Sequence, residues 1–304
     1  MSEFRDGIWL IRKPAGPTSH DMVYQARRIL GNRDVGHCGT LDPMAQGLLI
    51  LTSGEATKVS QYLLEGNKQY LVGVRFGKRT DTLDCTGQVL EEKPFAGTEQ
   101  QIIEAALALQ GEFEWKVPVF SAKKVNGEKL YEKAHRGEEV IAPVKKMNFW
   151  NVKFQGVTDD SYMFLIECSK GSYIRTWCEQ LGEKLGNLGC MYFLERTGSS
   201  PFKVEDALQL TELSEILTNG QTPQNYKPLK SCLPHLKSLR VKGKDESLMR
   251  NGVISHDLRL MLIQNFNPVS DDVIQVKSER GDLISLIGLE KEKGFQIRRV
   301  FKTQ

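Results

Sequence analysis

Gly36-His37-Cys38-Gly39-Thr40-Leu41-Asp42-Pro43-Met44-Ala45-Gln46-Gly47 sets the reading of this chain. Glycines at 36, 39 and 47 let the backbone turn tightly and leave room for something to approach. Pro43 biases Asp42 away from helical conformation. The result is a carboxylate presented from a stiff loop over 36–47, just before a short apolar strand over 48–51. On local pattern alone the same residues also describe an ordinary turn, with Asp42 accepting backbone hydrogen bonds.

On the N-terminal side, GIWLIRK over Gly7–Lys13 predicts a buried strand, followed by a turn at Pro14 to Pro17. Ser19 predicts an N-cap for a helix through Leu30, on the near-helical spacing of Met22, Tyr24 or Gln25, Ala26 and Ile29, with Gly31 as the stop. On the C-terminal side, 55–65 predicts a helix and 68–76 a strand. Further helices are expected over 98–110, 127–136, 172–185 and, in pieces, 205–219. Ser172 is the expected cap of the third of these, with Tyr173 and Arg175 in its first turn. Strands are expected at 152–154, pairing with 162–168, and at 191–194. The polar, proline-bearing run 219–234 predicts a linker, and beyond it 272–276, 283–287 and 295–301 predict short strands. The mixture argues an α+β fold in two domains, 1–234 and a small β-rich 235–304.

Composition bounds the function. The chain has 304 residues, 40% hydrophobic and 26% charged, which is ordinary for a globular protein. Its longest charge-free run, 43–54, is twelve residues, against roughly 18 needed to cross a bilayer. Residues 1–6 hold no apolar signal core, so a cytoplasmic protein without a membrane segment is expected. Six cysteines without a Cys-x-x-Cys pair and five histidines without a His-x-x-x-His pair argue against zinc and a disulfide framework. Cys38 reads as a small filler, because no base with suitable spacing accompanies it. Residues 235–304 carry 13 basic and 9 acidic side chains, residues 1–234 carry 28 and 29, and within these 116–146 hold eight and four. Two basic regions on a balanced body suit a docked polyanion, and equally a solvated surface. No Gly-Lys-Ser/Thr phosphate loop and no Gly-x-Ser-x-Gly elbow occurs. Asp81 and Asp84 could be imagined as a metal-binding pair, but no further acidic motif with ligand spacing accompanies them.

Six ordered motifs resemble those of bacterial TruB-type tRNA pseudouridine-55 synthases. The stretch from Gly36 to Pro43 resembles their catalytic-aspartate motif, and Lys13-Pro14-x-Gly16-x-Thr18-Ser19-His20-Asp21 their opening one. Lys68-Gln69-Tyr70, with Gly77 and Thr80-Asp81-Thr82-x-Asp84-x-x-Gly87, resembles the second. Pro118-x-x-Ser121-Ala122-x-Lys124 with Gly127-x-x-Leu130-Tyr131-Glu132 is similar to their RNA-gripping insertion, at about 116–146. Cys168-Ser169-Lys170-Gly171-Ser172-Tyr173-Ile174-Arg175-Thr176 resembles the third catalytic motif and Leu194-x-Arg196-Thr197 the last. The resemblance spans about 7–218; after Pro234 it becomes a general similarity to a small RNA-binding β-domain of the PUA kind. Gln46, His135 and Glu195 depart from the pattern, standing where Thr, Arg and a basic residue are common.

The resemblance implies a pseudouridine-synthase fold: a mixed, largely antiparallel sheet flanked by helices, with a PUA-like C-terminal domain. It implies isomerisation of the uridine at position 55 in the T-loop of tRNA, in which a bond from uracil N1 to ribose C1′ is replaced by one from C5. No metal, nucleotide or redox cofactor is implied, and the implied partner is the T-arm stem-loop, bound by a monomer. Asp42 is then the catalytic carboxylate, and Arg175 the guanidinium that keeps it ionised against burial. Tyr70 stacks on the extruded uracil and assists proton transfer at C5. Tyr173 lines the pocket and Leu194 is its apolar wall. His37 contacts the RNA and fills space left by the flipped base, and Lys13 holds the entry strand or a phosphate. Each residue has a plainer local reading beside this one. Tyr70 and Leu194 also read as core, His37 as a turn histidine, Arg175 as a surface salt bridge and Lys13 as a solvated strand end. Two rival classes stay open: a non-catalytic RNA-binding protein, and a metal-dependent phosphotransferase built on Asp81 and Asp84.

Overall fold

A computed structural model describes residues 4–302, except 122, 126, 131, 132, 134, 135, 137 and 139. Gly7–Lys13 (β1) is covered on both faces, as its apolar run Ile8-Trp9-Leu10-Ile11 requires. Ser19–Leu30 (α1) ends at Gly31, which takes φ 59°. Its cap is Thr18 rather than Ser19: Thr18 and Asp21 exchange backbone and side-chain hydrogen bonds in a capping box. The stretch 36–47 is loop only in its middle. Val35–Cys38 (β2) pairs antiparallel with Gln46–Ser53 (β3), leaving 39–45 to turn between them. The helix expected over 55–65 is a 3₁₀ segment, Gly54–Val59, running into Ser60–Leu64 (α2).

Lys68–Phe76 (β4) follows, then a hairpin of Lys78–Thr80 (β5) and Val89–Glu92 (β6), and Glu99–Leu107 (α3). Gly111–Lys116 (β7) leads into the insertion, where Lys124–Val125 (β8) pairs with Glu128–Lys129 (β9). The helix expected over 127–136 therefore begins as strand, and at 131, 132, 134 and 135 it lies outside the described residues. Val144–Thr158 (β10) and Ser161–Cys168 (β11) pair as expected, over longer spans. Ile174–Lys184 (α4) takes Tyr173 as its N-cap residue, and the Ser172 hydroxyl instead lies 3.0 Å from that of Ser169. Gly189–Ser199 (β12), Phe202–Lys203 (β13), Leu210–Thr218 (α5) and Tyr226–Pro228 (β14) complete this part.

Among the described residues, ten strands form one sheet. Its path runs β14-β1-β3-β12-β4-β11-β10-β7, with β2 on β3 and β13 on β12. Every pairing is antiparallel except β3 with β12, where Gln46 and Gly47 lie beside Glu195 and Arg196. The Asp42 loop emerges at this parallel joint. Gly47 sits there at φ 99°, and a Cβ on it would strike the Arg196 backbone, so no other residue fits. Side chains of α1, α3 and α4, among them Met22, Ile102 and Trp177, share the sheet's main core.

The tail forms a second, four-stranded sheet from Ser238–Arg240 (β15), Ile274–Lys277 (β16), Leu283–Glu290 (β17) and Gly294–Val300 (β18). Two helices, Gly243–Arg250 (α6) and His256–Asn265 (α7), lie between its first two strands and were absent from the sequence reading. The run 219–234 is not a slack tether. It supplies β14, and buried Asn225 donates from Nδ2 to the Leu10 carbonyl at 2.9 Å. Leu283, Leu286 and Phe301 share an apolar cluster with Ile8, Leu10, Leu229 and Leu233. No helix among the described residues is long and apolar enough to cross a membrane.

Candidate active site

The loop that carries Asp42 is braced from several sides. Lys13 is fully buried, and its ammonium donates to the carbonyls of Pro14 (2.8 Å), Pro43 (3.1 Å) and Ala45 (2.7 Å). Ser19 accepts from the Leu41 amide at 2.9 Å and donates to the Leu41 carbonyl at 3.1 Å, tying α1 to the loop. Arg196 Nη2 donates to the Gly39 carbonyl at 3.1 Å, and its Nε to the Leu48 carbonyl at 2.7 Å. Lys13 is thus turned inward, onto the loop. That burial contradicts the reading of Lys13 as a solvated strand end. Burial pulls its pKa down to about 8 despite the nearby Asp42 charge.

Arg175, in the first turn of α4, reaches Asp42: its Nε lies 3.0 Å from Asp42 Oδ2. The guanidinium is 5% exposed and oriented on every side. Nη1 donates to the Thr82 carbonyl and Nη2 to the Phe120 carbonyl, both at 3.0 Å, and Asp84 Oδ2 stands 3.7 Å from Nη1. Asp84 is itself held, its Oδ1 accepting from the Thr82 hydroxyl (2.9 Å), the Thr86 amide (3.0 Å) and the Thr86 hydroxyl (2.6 Å). Burial pushes the Asp42 carboxyl above the usual aspartate range; Arg175 opposes that, Asp84 adds to it and Lys13 opposes it weakly.

One cavity of about 350 Å³ is lined by Asp42, Tyr70, Tyr173, Arg175 and Leu194, near the lower end of the size range of ligand pockets. Five of the seven expected site residues therefore meet. Tyr70 on β4 is the cross-strand partner of Arg196 on β12. Burial pushes its phenol upward, and the Arg196 charge and hydrogen bond pull it back. Leu194 is 6% exposed, which serves both core and wall. His37, on β2, does not line the cavity. It is half-buried with Nδ1 unpartnered, and burial, then Arg196 and His20, lower its pKa. Lys68, Ser121, Lys123 and Arg196 also line the cavity. Cys38 and Cys168 are buried thiols pushed up to about 11 and about 12, which leaves them inert.

Sequence reasoning quoted Asp84 within a motif and weighed it against a metal site, but gave it no role in this site. Its carboxylate faces a guanidinium, and Asp81 Oδ1 is committed to the Gln88 amide at 2.8 Å. Among the described residues no group of His, Cys, Asp and Glu could hold a metal ion. The departures Gln46 and Glu195 prove to be partners across β3 and β12, and Glu195 pairs with Arg12 at 3.2 Å. His135 lies outside the described residues.

Solved structures match the architecture. A chain in the structure of an H/ACA RNP bound to a substrate RNA containing 2′-deoxyuridine aligns with TM-score 0.71 and 21% identity, covering 99% of this chain and 87% of its own. A chain of a Cbf5-Nop10-Gar1 complex aligns with TM-score 0.70 and 22% identity, covering 99% and 85%. That likeness concerns the fold. The sequence relatives supply the class, an isomerase of the pseudouridine-synthase kind. The description "TruB family pseudouridylate synthase (N terminal domain)" matches residues 27–174. The tRNA pseudouridine synthase B of Bdellovibrio bacteriovorus is 49% identical over 299 residues, 98% of this chain and 97% of that protein. That of Clostridium acetobutylicum is 38% identical over 256 residues, 84% and 87% of the two chains. The chain belongs to the TruB family of bacterial tRNA pseudouridine synthases.

Proposed function

We propose that this protein converts the uridine at position 55 in the T-loop of tRNA to pseudouridine, with Asp42 as the catalytic group. The observation that carries the reading is the 3.0 Å contact between Arg175 Nε and Asp42 Oδ2, in a cavity that Tyr70 also lines. A carboxylate there acts as a nucleophile, at C1′ or at uracil C6, or as a base toward a ribose proton. Each route begins from the ionised form, which Arg175 favours against burial. A base inside a folded loop must be turned out to meet Asp42, at a cost of about a few kcal/mol. Tyr70 stacks on that base and assists proton transfer at C5, while Tyr173 and Leu194 wall it in. His37 contacts the RNA and occupies the space the base vacates, and Lys13 keeps the Asp42 loop in shape.

Residues 116–146 and the basic tail grip phosphates of the T-arm, with Lys123 at the cavity itself. On this reading 1–234 form the catalytic domain and 235–304 an RNA-binding domain packed against it, and the protein works as a monomer in the cytoplasm. The reaction moves a glycosidic bond within one nucleotide and conserves electrons, so it calls for neither nucleotide nor metal. The test is incubation with an unmodified tRNA transcript, followed by mapping of pseudouridine along it. Modification at position 55 alone is expected, and none in a transcript carrying cytidine there; modification confined to another site overturns the assignment.

A further inference from the structure

Two cations in the cavity have no part in the chemistry described so far. Lys68 on β4 is 7% exposed and Arg196 on β12 is 2% exposed, and both line the cavity with Asp42. Apart from the Arg196 hydrogen bond to the Tyr70 phenol, their hydrogens go to backbone carbonyls. Lys68 Nζ donates to Leu64 at 2.7 Å and to Gly66, and Arg196 donates to Leu48 and Gly39. Carbonyls satisfy N–H groups but bring no counter-charge. Among the described residues neither cation forms an ion pair with a carboxylate: Glu65, which faces Lys68, pairs with Lys170, and Asp42 is held by Arg175. Burial and then the charge of Arg196 pull the Lys68 pKa down to about 8, so the two cations burden one another. Such a pair is costly to keep out of water without an anion. The cost makes sense where the ligand becomes an anion during the reaction.

The isomerisation makes one. When N1–C1′ breaks, both electrons leave on the base, and the detached uracil carries a negative charge spread over N1, O2 and O4. We infer that Lys68 and Arg196 form the electrostatic wall that holds the detached uracil as an anion while it turns from N1 to C5. This rests on the isomerase reading above. On the two routes in which Asp42 acts on the ribose, as N1–C1′ breaks, C1′ either bonds to an Asp42 oxygen, or C2′ gives its proton to Asp42 and a C1′–C2′ double bond forms. C5 then supplies the electron pair for its bond to C1′. Asp42 leaves as a carboxylate in the first case and returns the proton to C2′ in the second. The proton lost from C5 is matched by one gained at N1, and no electrons enter or leave. Fixed charges in a water-poor cavity act most strongly where charge develops.

The test varies the acidity of the leaving base. Stem-loops carrying uridine or 5-fluorouridine at the target are compared in single turnover, following loss of the N-glycoside; fluorine makes the departing base a more stable anion. Lys68→Gln removes the charge but keeps a donor for the Leu64 and Gly66 carbonyls. It should slow uridine by about 100- to 1,000-fold, the range for losing one charge-stabilising donor, and slow 5-fluorouridine at least tenfold less. Lys68→Arg keeps the charge, and should keep the wild-type ratio between the substrates even if its packing lowers both rates. Equal losses on both substrates in Lys68→Gln, or a changed ratio in Lys68→Arg, overturn the inference, because a structural defect slows both alike. Wild-type protein that leaves the uridine stem-loop unchanged overturns the isomerase reading instead.

Discussion

Replacing Arg175 by Lys keeps one positive charge and loses the fork. In the wild type Nε is 3.0 Å from Asp42 Oδ2, while Nη1 and Nη2 each donate at 3.0 Å to the Thr82 and Phe120 carbonyls. These acceptors are met by three separate nitrogens of a planar fork, and a single ammonium nitrogen cannot stand in all three places. A hydrogen bond to a charged group contributes about 1.5–3 kcal/mol, and 1.36 kcal/mol corresponds to about one pKa unit. Taking the guanidinium contact away from Asp42 therefore lifts further a carboxyl that burial already holds high. Asp42 works ionised, so a higher pKa removes the active form from the acid side. Single-turnover conversion of a tRNA stem-loop, measured from about pH 5.5 to 9, should show the acid limb displaced upward. On that limb the rate at fixed pH falls about 10- to 100-fold, and toward alkaline pH the loss closes. A loss by the same factor at every pH would refute the reasoning, since it would leave Arg175 orienting Asp42 without governing its charge.

Asp42→Asn should abolish pseudouridine formation while tRNA binding, followed by filter retention, stays within about tenfold; turnover near wild type removes the central claim. Tyr70→Phe should slow single-turnover conversion more than it weakens binding, because the ring still stacks, and unchanged turnover leaves Tyr70 a stacking surface only. Lys13 titrates at about 8 in the folded chain against 10.5 ordinarily, so the unfolded chain holds the proton longer. Its contribution to stability is complete above the unfolded value and is lost as pH falls through the folded one. The urea midpoint of wild type minus that of Lys13→Met should therefore rise between about pH 8 and 10.5, and a flat difference contradicts a buried ammonium. Lys123→Ala should flatten the dependence of log affinity on log salt by about 0.7 to 0.9 for each phosphate it no longer neutralises; an unchanged slope takes Lys123 off the RNA backbone.

Much of the fold was legible where neighbours in sequence decide the structure. β1 is an apolar run that specifies a covered strand and β4 an alternating one, and both lie where expected. The errors come from contacts between distant segments. Val35–Cys38 is short and contains a glycine, and it is a strand because β3 offers it a partner. The run 219–234 has a linker's composition, yet Tyr226, Leu229 and Leu233 find the face of β1 and its surroundings. Thr18 and Ser19 are adjacent hydroxyls, and only the position of Asp21 and the demand of the Leu41 backbone assign one to the cap and the other to the loop. In the site, Asp42, Tyr70, Tyr173, Arg175 and Leu194 were named from motifs and converge. Asp84 was left without a role because a loop carboxylate suits its own turn as well as a guanidinium, and the deciding partner arrives from α4. The cationic character of the cavity was not legible, since Lys68 and Arg196 become neighbours only when β4 and β12 pair.

The planar group that grips Asp42 also grips Phe120, at the root of the insertion. A guanidinium is rigid, so tilting it toward one acceptor tilts it away from the other. The insertion is therefore no detachable module. Exchanging it for a sequence suited to another RNA, without conserving the path of the chain through Phe120, would be felt as a change in the acidity of Asp42. An engineer retargeting this scaffold would do better to graft beyond residue 121 and leave 118–121 with the native α4, as a single transplanted unit.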